Sequence, residues 1–139
     1  MTREDKELLI KDLCARLPYG IKFLRESWNY EWDQELSVIE ILEDIDKDGY
    51  INNTKVYKVE DIKPYLFPLS SMTEEQEKEY DILRDSVPTY HYEFGDVMVD
   101  DTKLCDNWKS IDYLNAHHFD YRGLIEKGLA IDATNLNIY

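Results

Sequence analysis

The chain has 139 residues, of which 43% are apolar and 13% aromatic, and this composition predicts a single folded domain spanning residues 1–139. Its 30 acidic and 16 basic residues give a formal net charge of −14, which repels nucleic-acid phosphates and anionic lipid surfaces. We therefore expect no direct binding to nucleic acid or to a membrane surface. The acidic runs are typical of a solvated, solubilising face, and attraction of a basic partner or mimicry of a nucleic acid is the alternative.

The N-terminal residues and the two cysteines bear on the compartment of the protein. The chain begins with no apolar stretch of signal-peptide length, and no segment approaches the roughly 20 apolar residues of a membrane helix. These features predict a cytoplasmic protein. Cys14 and Cys105 form neither a disulfide framework nor a CxxC motif, so we expect two buried thiols.

Residues 1–17 predict an N-terminal helix. Thr2 can cap it, and Asp5 lies near the capping-box position. One apolar face recurs at helical spacing and consists of Leu9, Leu13 and Leu17, with Ile10 and Cys14 beside them. Pro18 and Gly20 then end the helix.

Residues 20–68 predict a strand-rich core. Ile21–Trp28 alternates loosely and Leu36–Leu42 is rich in β-branched residues, although the second stretch also fits helical spacing. Lys55–Val59 favours extended backbone. Glu60–Pro68 contains two prolines and predicts an irregular segment or short turn laid against the core. We expect a small, bent antiparallel sheet or an SH3-like barrel.

The stretch DIDKDGYIN resembles the start of an EF-hand calcium loop. The matching positions are Asp44, Asp46, Asp48 and Gly49. A calcium loop needs helices on both sides and a bidentate carboxylate at its twelfth position, which here is Lys55. We therefore interpret the stretch as a hairpin turn, with Gly49 at positive φ and Asp44 and Asp46 near its solvent end, and we expect no calcium binding.

Residues 73–86 predict a second helix. Thr73 and Gln76 form a capping box, and the helix should run from about Glu74 to Asp85 before Pro88 ends it. The side chains expected to point inward are Tyr80, Leu83 and Val87.

The last third of the chain is predicted to be mainly helical. Tyr90–Val99 fits a late strand or an extended loop. Residues 107–128 should form the helical C-terminal part, with one face made of Trp108, Ile111, Leu114 and His118. Asp120 can cap a further short helix that ends at Gly128, and residues 129–139 should form a loose polar tail.

The phrase HHFDYR is the strongest candidate for hidden chemistry. His117 and His118 diverge by about 100° on a helix, so they do not form the metal-binding pair of residues four apart, although Asp120 or His91 could complete a site. We favour a packed or capping His118, an exposed His117 and a helix-starting Asp120. Arg122 can pair with a carboxylate or hold a phosphorylated or carboxylated ligand, and the first is commoner.

Motifs for other chemistries are missing from the sequence. It has no GxSxG nucleophile elbow and no glycine-rich phosphate loop, and it contains only five glycines. We assign no catalytic, cofactor-binding or metal-binding residue and expect no cofactor.

Three phrases resemble an uncharacterised family of small acidic proteins from gut bacteria of the Bacteroides group and their phages or mobile elements. The phrases are LPYG from Leu17, IKPYLFPLSSMTEEQ from Ile62 and YLNAHHFDYRGLIEKGLA from Tyr113. The resemblance covers roughly half the chain, without a mechanistic motif. It implies strands and a turn around DKDG without a calcium pattern, and it implies no activity.

These observations predict an α+β domain with an N-terminal helix, a small sheet or SH3-like barrel, and packed C-terminal helices. The function we expect is that of a non-enzymatic intracellular interaction or accessory protein, encoded by a phage or mobile element, whose partner is a protein. The first alternative is an acidic nucleic-acid mimic that inhibits a DNA-binding host protein. The second is a small metal-binding or enzymatic domain.

Overall fold

The computed structural model describes residues 1–29, 34–85 and 109–139. The helices are α1 (Arg3–Arg16), α2 (Glu74–Asp85) and α3 (109–116). The strands are β1 (Lys22–Asn29), β2 (Gln34–Ile41), β3 (Tyr50–Asn52), β4 (Val56–Lys58), β5 (Ile62–Pro68), β6 (Phe119–Asp120) and β7 (Ile131–Asp132). The predictions for His91, Val87, Cys105, Trp108 and Tyr90–Val99 fall outside the described residues.

The described elements form an α+β fold, as expected. The main sheet has the order β2-β1-β5-β6, β7 also pairs with β5, and β3 and β4 form a separate two-stranded sheet. Strand β1 pairs antiparallel with β2 and β5, whereas β6 and β7 pair parallel with β5. The sheet is therefore mixed rather than purely antiparallel, and across the described strands it does not close into a barrel.

Hydrogen bonds show which backbone groups of β2 face away from the sheet. The Leu42 N–H donates to the Ile21 carbonyl at 2.8 Å. In this register the N–H and C=O groups of every second residue of β2, counted back from Leu42, point towards β1. Ile39 and Ile41 are two of the intervening residues, whose backbone groups point to the other side. On that outer side the Ile41 carbonyl accepts a hydrogen bond from Asn53 Nδ2 at 2.8 Å. The N–H and C=O of Ile39 therefore point away from β1 along the outer edge of the described sheet.

Residues 60–68 were expected to form an irregular segment or short turn; Val59–Asp61 is a short 3-10 turn, but β5 shows that the rest is a strand. The register pairs Phe23 with Pro64 and Leu24 with Lys63. Backbone N–H and C=O groups of successive residues in a strand point to opposite sides, so the groups of Ile21 face β2 and those of Leu24 face β5. Leu24 therefore forms its hydrogen bonds with Lys63, and the nitrogen of the next residue, Pro64, points away from β1. The proline can therefore lie inside the sheet without losing a hydrogen bond to β1.

Helix α1 begins as predicted, because Thr2 Oγ1 accepts a hydrogen bond from the Asp5 N–H at 3.1 Å. Its buried face contains Leu9 and Leu13 together with two charged residues, Asp12 and Arg16. Cys14 is exposed, so the expectation of a buried thiol at this position is wrong. The buried stripe lies on the Asp12 side of the leucines rather than on the Cys14 side.

The hydrophobic core lies between α1, the inner face of the main sheet and the turns after β6. Its members come from residues 9–66 and 124–130: Leu9, Leu13, Ile21, Phe23, Leu42, Ile45, Ile51, Val59, Ile62, Leu66, Leu124, Leu129 and Ala130. The presence of Leu129 and Ala130 in this set means that the final segment contributes to the core.

The last twenty residues differ from the expected second helix and loose tail. After α3 the chain forms β6 and then a series of turns over residues 121–128. Asp120 still acts as a cap, since its carboxylate accepts hydrogen bonds from the N–H groups of Leu124 at 3.0 Å and Ile125 at 2.9 Å. Residues 131–132 pair with β5 and Ala133 is buried, so the segment is packed against the sheet.

Candidate functional site

The calcium-like stretch folds as a hairpin turn, which confirms that interpretation. Ile45 and Ile51 form an antiparallel bridge, and the Gly49 N–H donates to the Asp46 carbonyl at 3.2 Å. Gly49 has a φ of +86°, as predicted. The turn is followed by the strand Tyr50–Asn52, whereas an EF-hand would have a helix there.

The Asp46 carboxylate is engaged by the turn itself. Its Oδ1 accepts hydrogen bonds from the N–H groups of Asp48 at 2.9 Å and Tyr50 at 3.0 Å. These bonds favour the charged form, so the pKa of Asp46 is lowered, with the Tyr50 N–H as the largest cause. Asp44 is exposed and Asp46 is half-buried, which agrees with their predicted place at the outer end of the hairpin.

A buried polar network joins α1 to the HHFDYR phrase. Asp12 and Arg16 are both fully buried, and Arg16 Nε donates to Asp12 Oδ2 at 2.8 Å. Arg16 Nη2 donates to the Phe119 carbonyl at 2.6 Å. Arg122 Nη1 donates to Asp12 Oδ1 at 3.3 Å, which confirms the expected pairing of Arg122 with a carboxylate. The network therefore ties the N-terminal helix to β6 and the following turn.

The electrostatics of this network are set by burial. Removal from water raises the pKa of Asp12, and the charges of Arg16 and Arg122 oppose that rise. The guanidinium of Arg16 also lies 5.2 Å from the centre of the Tyr121 ring, and that of Arg122 lies 4.8 Å from it. Arg16 Nη1 is buried and has no hydrogen-bond partner among the described residues, but the ion pairs and the bond to the Phe119 carbonyl still join α1 to β6 as a structural brace.

His118 packs at the end of α3, as expected, and His117 is exposed. His118 has a φ of +63°, which is uncommon for a residue other than glycine. Burial and then the nearby charge of Arg16 lower the pKa of His118 to about 4. Its imidazole is therefore neutral at pH 7, and its ring stacks on Tyr139 with 3.8 Å between the ring centres.

A cavity of about 410 Å³ lies beside this stacked pair. Aromatic rings form much of its wall, and hydroxyl and amide side chains and Ala116 contribute the rest. Its lining includes Phe67, His118, Phe119, Tyr139, Ser71 and Thr134. A volume of this size is in the range of small-molecule sites.

A second candidate surface lies at the outer edge of the sheet. Ile39 and Ile41 on β2 are 48% and 52% exposed. They point to the same face of the sheet as Leu24, which is the partner of Ile39 in the register. This face therefore presents apolar side chains next to the outer strand edge of the described sheet.

The described part of the chain has neither a cluster of metal ligands nor a membrane-spanning helix. Among those residues no group of three or more His, Cys, Asp or Glu side chains is placed to hold a metal ion. Within the same residues there is no helix whose length and apolar content would let it cross a membrane.

Comparison of the chain with protein-family models, with curated proteins and with solved structures finds no match.

Sequence reasoning missed three of these features. It assigned no role to Asp12 or Arg16, although a charged pair four residues apart beside Leu9 and Leu13 was a usable signal. It placed Tyr139 in a loose tail, and no local pattern marks the contacts that this residue makes with β1 and β5. The outer position of β2 also depends on the strand order, which the sequence does not reveal.

Proposed function

We propose that the protein is a non-enzymatic, intracellular interaction protein, encoded by a phage or mobile element, that binds an extended segment of a partner protein along β2. The observation that carries the proposal is the outer edge of β2, where the backbone of Ile39 faces away from β1 and Ile39 and Ile41 are half-exposed. The resemblance to the Bacteroides-group proteins supports the proposed origin.

Addition of a strand to β2 would use the backbone groups of Ile39 that face away from β1. The N–H and C=O of Ile39 can bond to the backbone of an incoming strand, as in other cases of strand addition to a sheet edge. The alternate side chains of that strand would cover Ile39 and Ile41 on one face. Main-chain bonds would supply affinity, and the apolar face would select partners with apolar residues at every second position.

The partner is expected to be basic. The net charge of −14 attracts a cationic segment and repels a second copy of this chain, so the charge disfavours pairing of two β2 edges with each other. A cationic extended segment therefore fits this surface better than self-association does.

The acidic surface is better explained as a solvated face than as a nucleic-acid mimic. Several described acidic side chains are paired with neighbouring bases: Glu7 with Arg3, Glu60 with Lys6 and Asp81 with Arg84. Such pairs break the uniform negative potential that a phosphate mimic would present. Mimicry remains the second proposal, and competition of DNA for the partner would distinguish it.

Variants of Ile39 test the edge-strand proposal. Proline at this position removes the outward N–H while keeping the bonds between β1 and β2, and Ile39→Lys places a charge on the apolar face. We expect both variants to keep the wild-type Tm within a few degrees and to lose the partner recovered from the native cell. Ile82→Lys is the matched control, because Ile82 is 67% exposed on α2.

Hydrogen exchange of the complex supplies the second readout. Binding along β2 should slow exchange of the Ile39 amide by at least tenfold, because that amide becomes hydrogen-bonded. A partner that binds the Ile39→Pro variant as well as the wild type, or that leaves Ile39 exchange unchanged, would contradict the proposal.

A further inference from the structure

The side chain of Tyr139 lies in a slot made by residues from three separate parts of the chain. Its ring stacks on His118 with an interplanar angle of 14° and lies 5.8 Å from the ring of Phe67, measured between centres. Lys22 Nζ is 5.5 Å from the centre of the Tyr139 ring. The slot therefore offers an aromatic face, an aromatic side wall and a cation to a single ring.

The hydroxyl of Tyr139 is recognised as both donor and acceptor. It accepts a hydrogen bond from the Lys22 N–H at 2.9 Å and donates one to the Tyr65 carbonyl at 2.8 Å. Phe23 pairs with Pro64, so Lys22 and Tyr65 would be the next pair of the β1–β5 ladder. The phenol oxygen lies between these two backbone groups and replaces their direct hydrogen bond.

The chain that leads to Tyr139 is an exposed turn, in which Thr134 bonds to the Asp132 carboxylate and the Leu136 N–H donates to the Ala133 carbonyl at 3.1 Å. Residues 134–137 are exposed, and Asn135 and Asn137 have φ values of +66° and +50°, in the left-handed region that asparagine adopts more readily than most residues. Tyr139 itself is 41% exposed. One further contact is made by Lys22 Nζ, which donates to the Ile138 carbonyl at 2.6 Å. Most of the contacts described between this segment and β1, β5 and the end of α3 are therefore made by the Tyr139 ring and its hydroxyl.

Space for movement lies next to the ring. The cavity of about 410 Å³ is lined by Tyr139 together with Thr134 and Asn135 of the linking segment. Ser71 and Gln76 line the same cavity. Movement of Tyr139 would join the slot to this cavity and leave room for another ring.

We propose that this slot is a binding site for a phenolic ring, and that Tyr139 is an exchangeable occupant which an external phenol can replace. The ring stacking, the contact with the lysine cation and both hydrogen bonds of the hydroxyl need only atoms that a para-alkylphenol possesses. A tethered occupant competes at an effective concentration in the millimolar range, so the wild-type protein binds an external phenol more weakly than a protein without Tyr139 does. This inference is independent of β2 and of the proposed partner.

The test uses p-cresol, the free analogue of the tyrosine side chain, and the variant Tyr139→Ala. We expect p-cresol to raise the Tm of the variant saturably, and toluene, which lacks the hydroxyl, to have less than a tenth of that affinity. The wild type should need at least tenfold more p-cresol. Binding should shift the Lys22 amide resonance in both proteins, because that amide donates to the phenol oxygen.

The wild-type titration decides the question if Tyr139→Ala does not fold. Exchange predicts that p-cresol moves the Lys22 amide and the Tyr139 ring resonances together. A variant that gains nothing from p-cresol, a toluene affinity equal to that of p-cresol, or a wild-type Lys22 amide that does not respond would overturn the proposal. A blocked Asn-Ile-Tyr peptide that binds more tightly than p-cresol would identify a tyrosine of another polypeptide as the source of the ring.

Discussion

Replacement of Gly49 by alanine tests the contact between the hairpin turn and α1. The φ of +86° lies in the region that costs a residue with a side chain about 1 kcal/mol. An added Cβ would also lie 3.0 Å from Ile10 Cδ1 and 3.2 Å from Val59 Cγ1, so these neighbours must shift. Overpacking of this kind costs about 1 to 3 kcal/mol, and we expect a total loss of about 2 to 4 kcal/mol in the free energy of unfolding.

Gly128→Ala is the matched control for this experiment. Gly128 has a φ of +73°, but an added Cβ would meet no atom within 4 Å, so only the backbone cost of about 1 kcal/mol applies. Urea unfolding of both variants, followed by circular dichroism, measures the difference. Equal losses for Gly49→Ala and Gly128→Ala would show that the turn is not packed against α1 as described. Gly49→Val should be more destabilising than Gly49→Ala.

Three further predictions concern the charged and titrating groups. Arg16→Met leaves the buried Asp12 with one weaker partner, so it should lower the free energy of unfolding, measured by urea titration, by about 3 to 5 kcal/mol. Combining Arg16→Met with Asp12→Leu should recover most of this loss. An equal loss in the single and the double variant would refute the prediction. The folded-state pKa of His118 is depressed to about 4, so its contribution to stability is present above about pH 6.5 and is lost as the pH falls towards 4. His118→Asn, which tolerates the positive φ, should flatten the stability profile between pH 7 and pH 4.5, and an unchanged slope would contradict the assignment. Calcium should leave the wild-type Tm unchanged. Asp46→Ala should lower the Tm equally with and without calcium, because the Asp46 carboxylate bonds to backbone N–H groups of its own turn. A saturable heat on calcium titration in calorimetry would instead indicate a calcium site.

Local patterns predicted the parts of the fold that are governed by local forces. Both cap positions were predicted correctly, because the bonds of Thr2 with Asp5 and of Thr73 with Gln76 join residues three apart. The helix Glu74–Asp85 has the predicted bounds. The turn at Gly49 follows from the same short-range chemistry.

Patterns that depend on distant partners were misjudged. Two prolines made residues 60–68 look irregular, yet the direction of the Pro64 nitrogen depends on the register with β1, which the sequence does not show. The buried stripe of α1 includes Arg16 because the Phe119 carbonyl, 103 residues away, accepts its hydrogen bond. Without that partner, Cys14 is the more plausible inward residue by polarity alone.

The candidate sites were less predictable than the fold. The phrase HHFDYR was identified as a candidate, and Arg122 pairs with a carboxylate as expected. The brace that it forms with Asp12 and Arg16 was not predicted, because it requires α1 and β6 to be adjacent. The slot around Tyr139 requires β1, β5 and the end of α3 to meet. A single sequence carries no signal for such meetings.

The position of β5 has a consequence for the order of folding. Strands β1 and β2 pair through a short connection and can form early, whereas the parallel partners of β5 come from Phe119 and Ile131, far along the chain. Until those residues are available, the backbone of Leu66 has no neighbour on the β7 side. A nascent chain or a truncated fragment would then expose this apolar strand edge, so intermediates that lack residues 119–133 are the species most prone to aggregate.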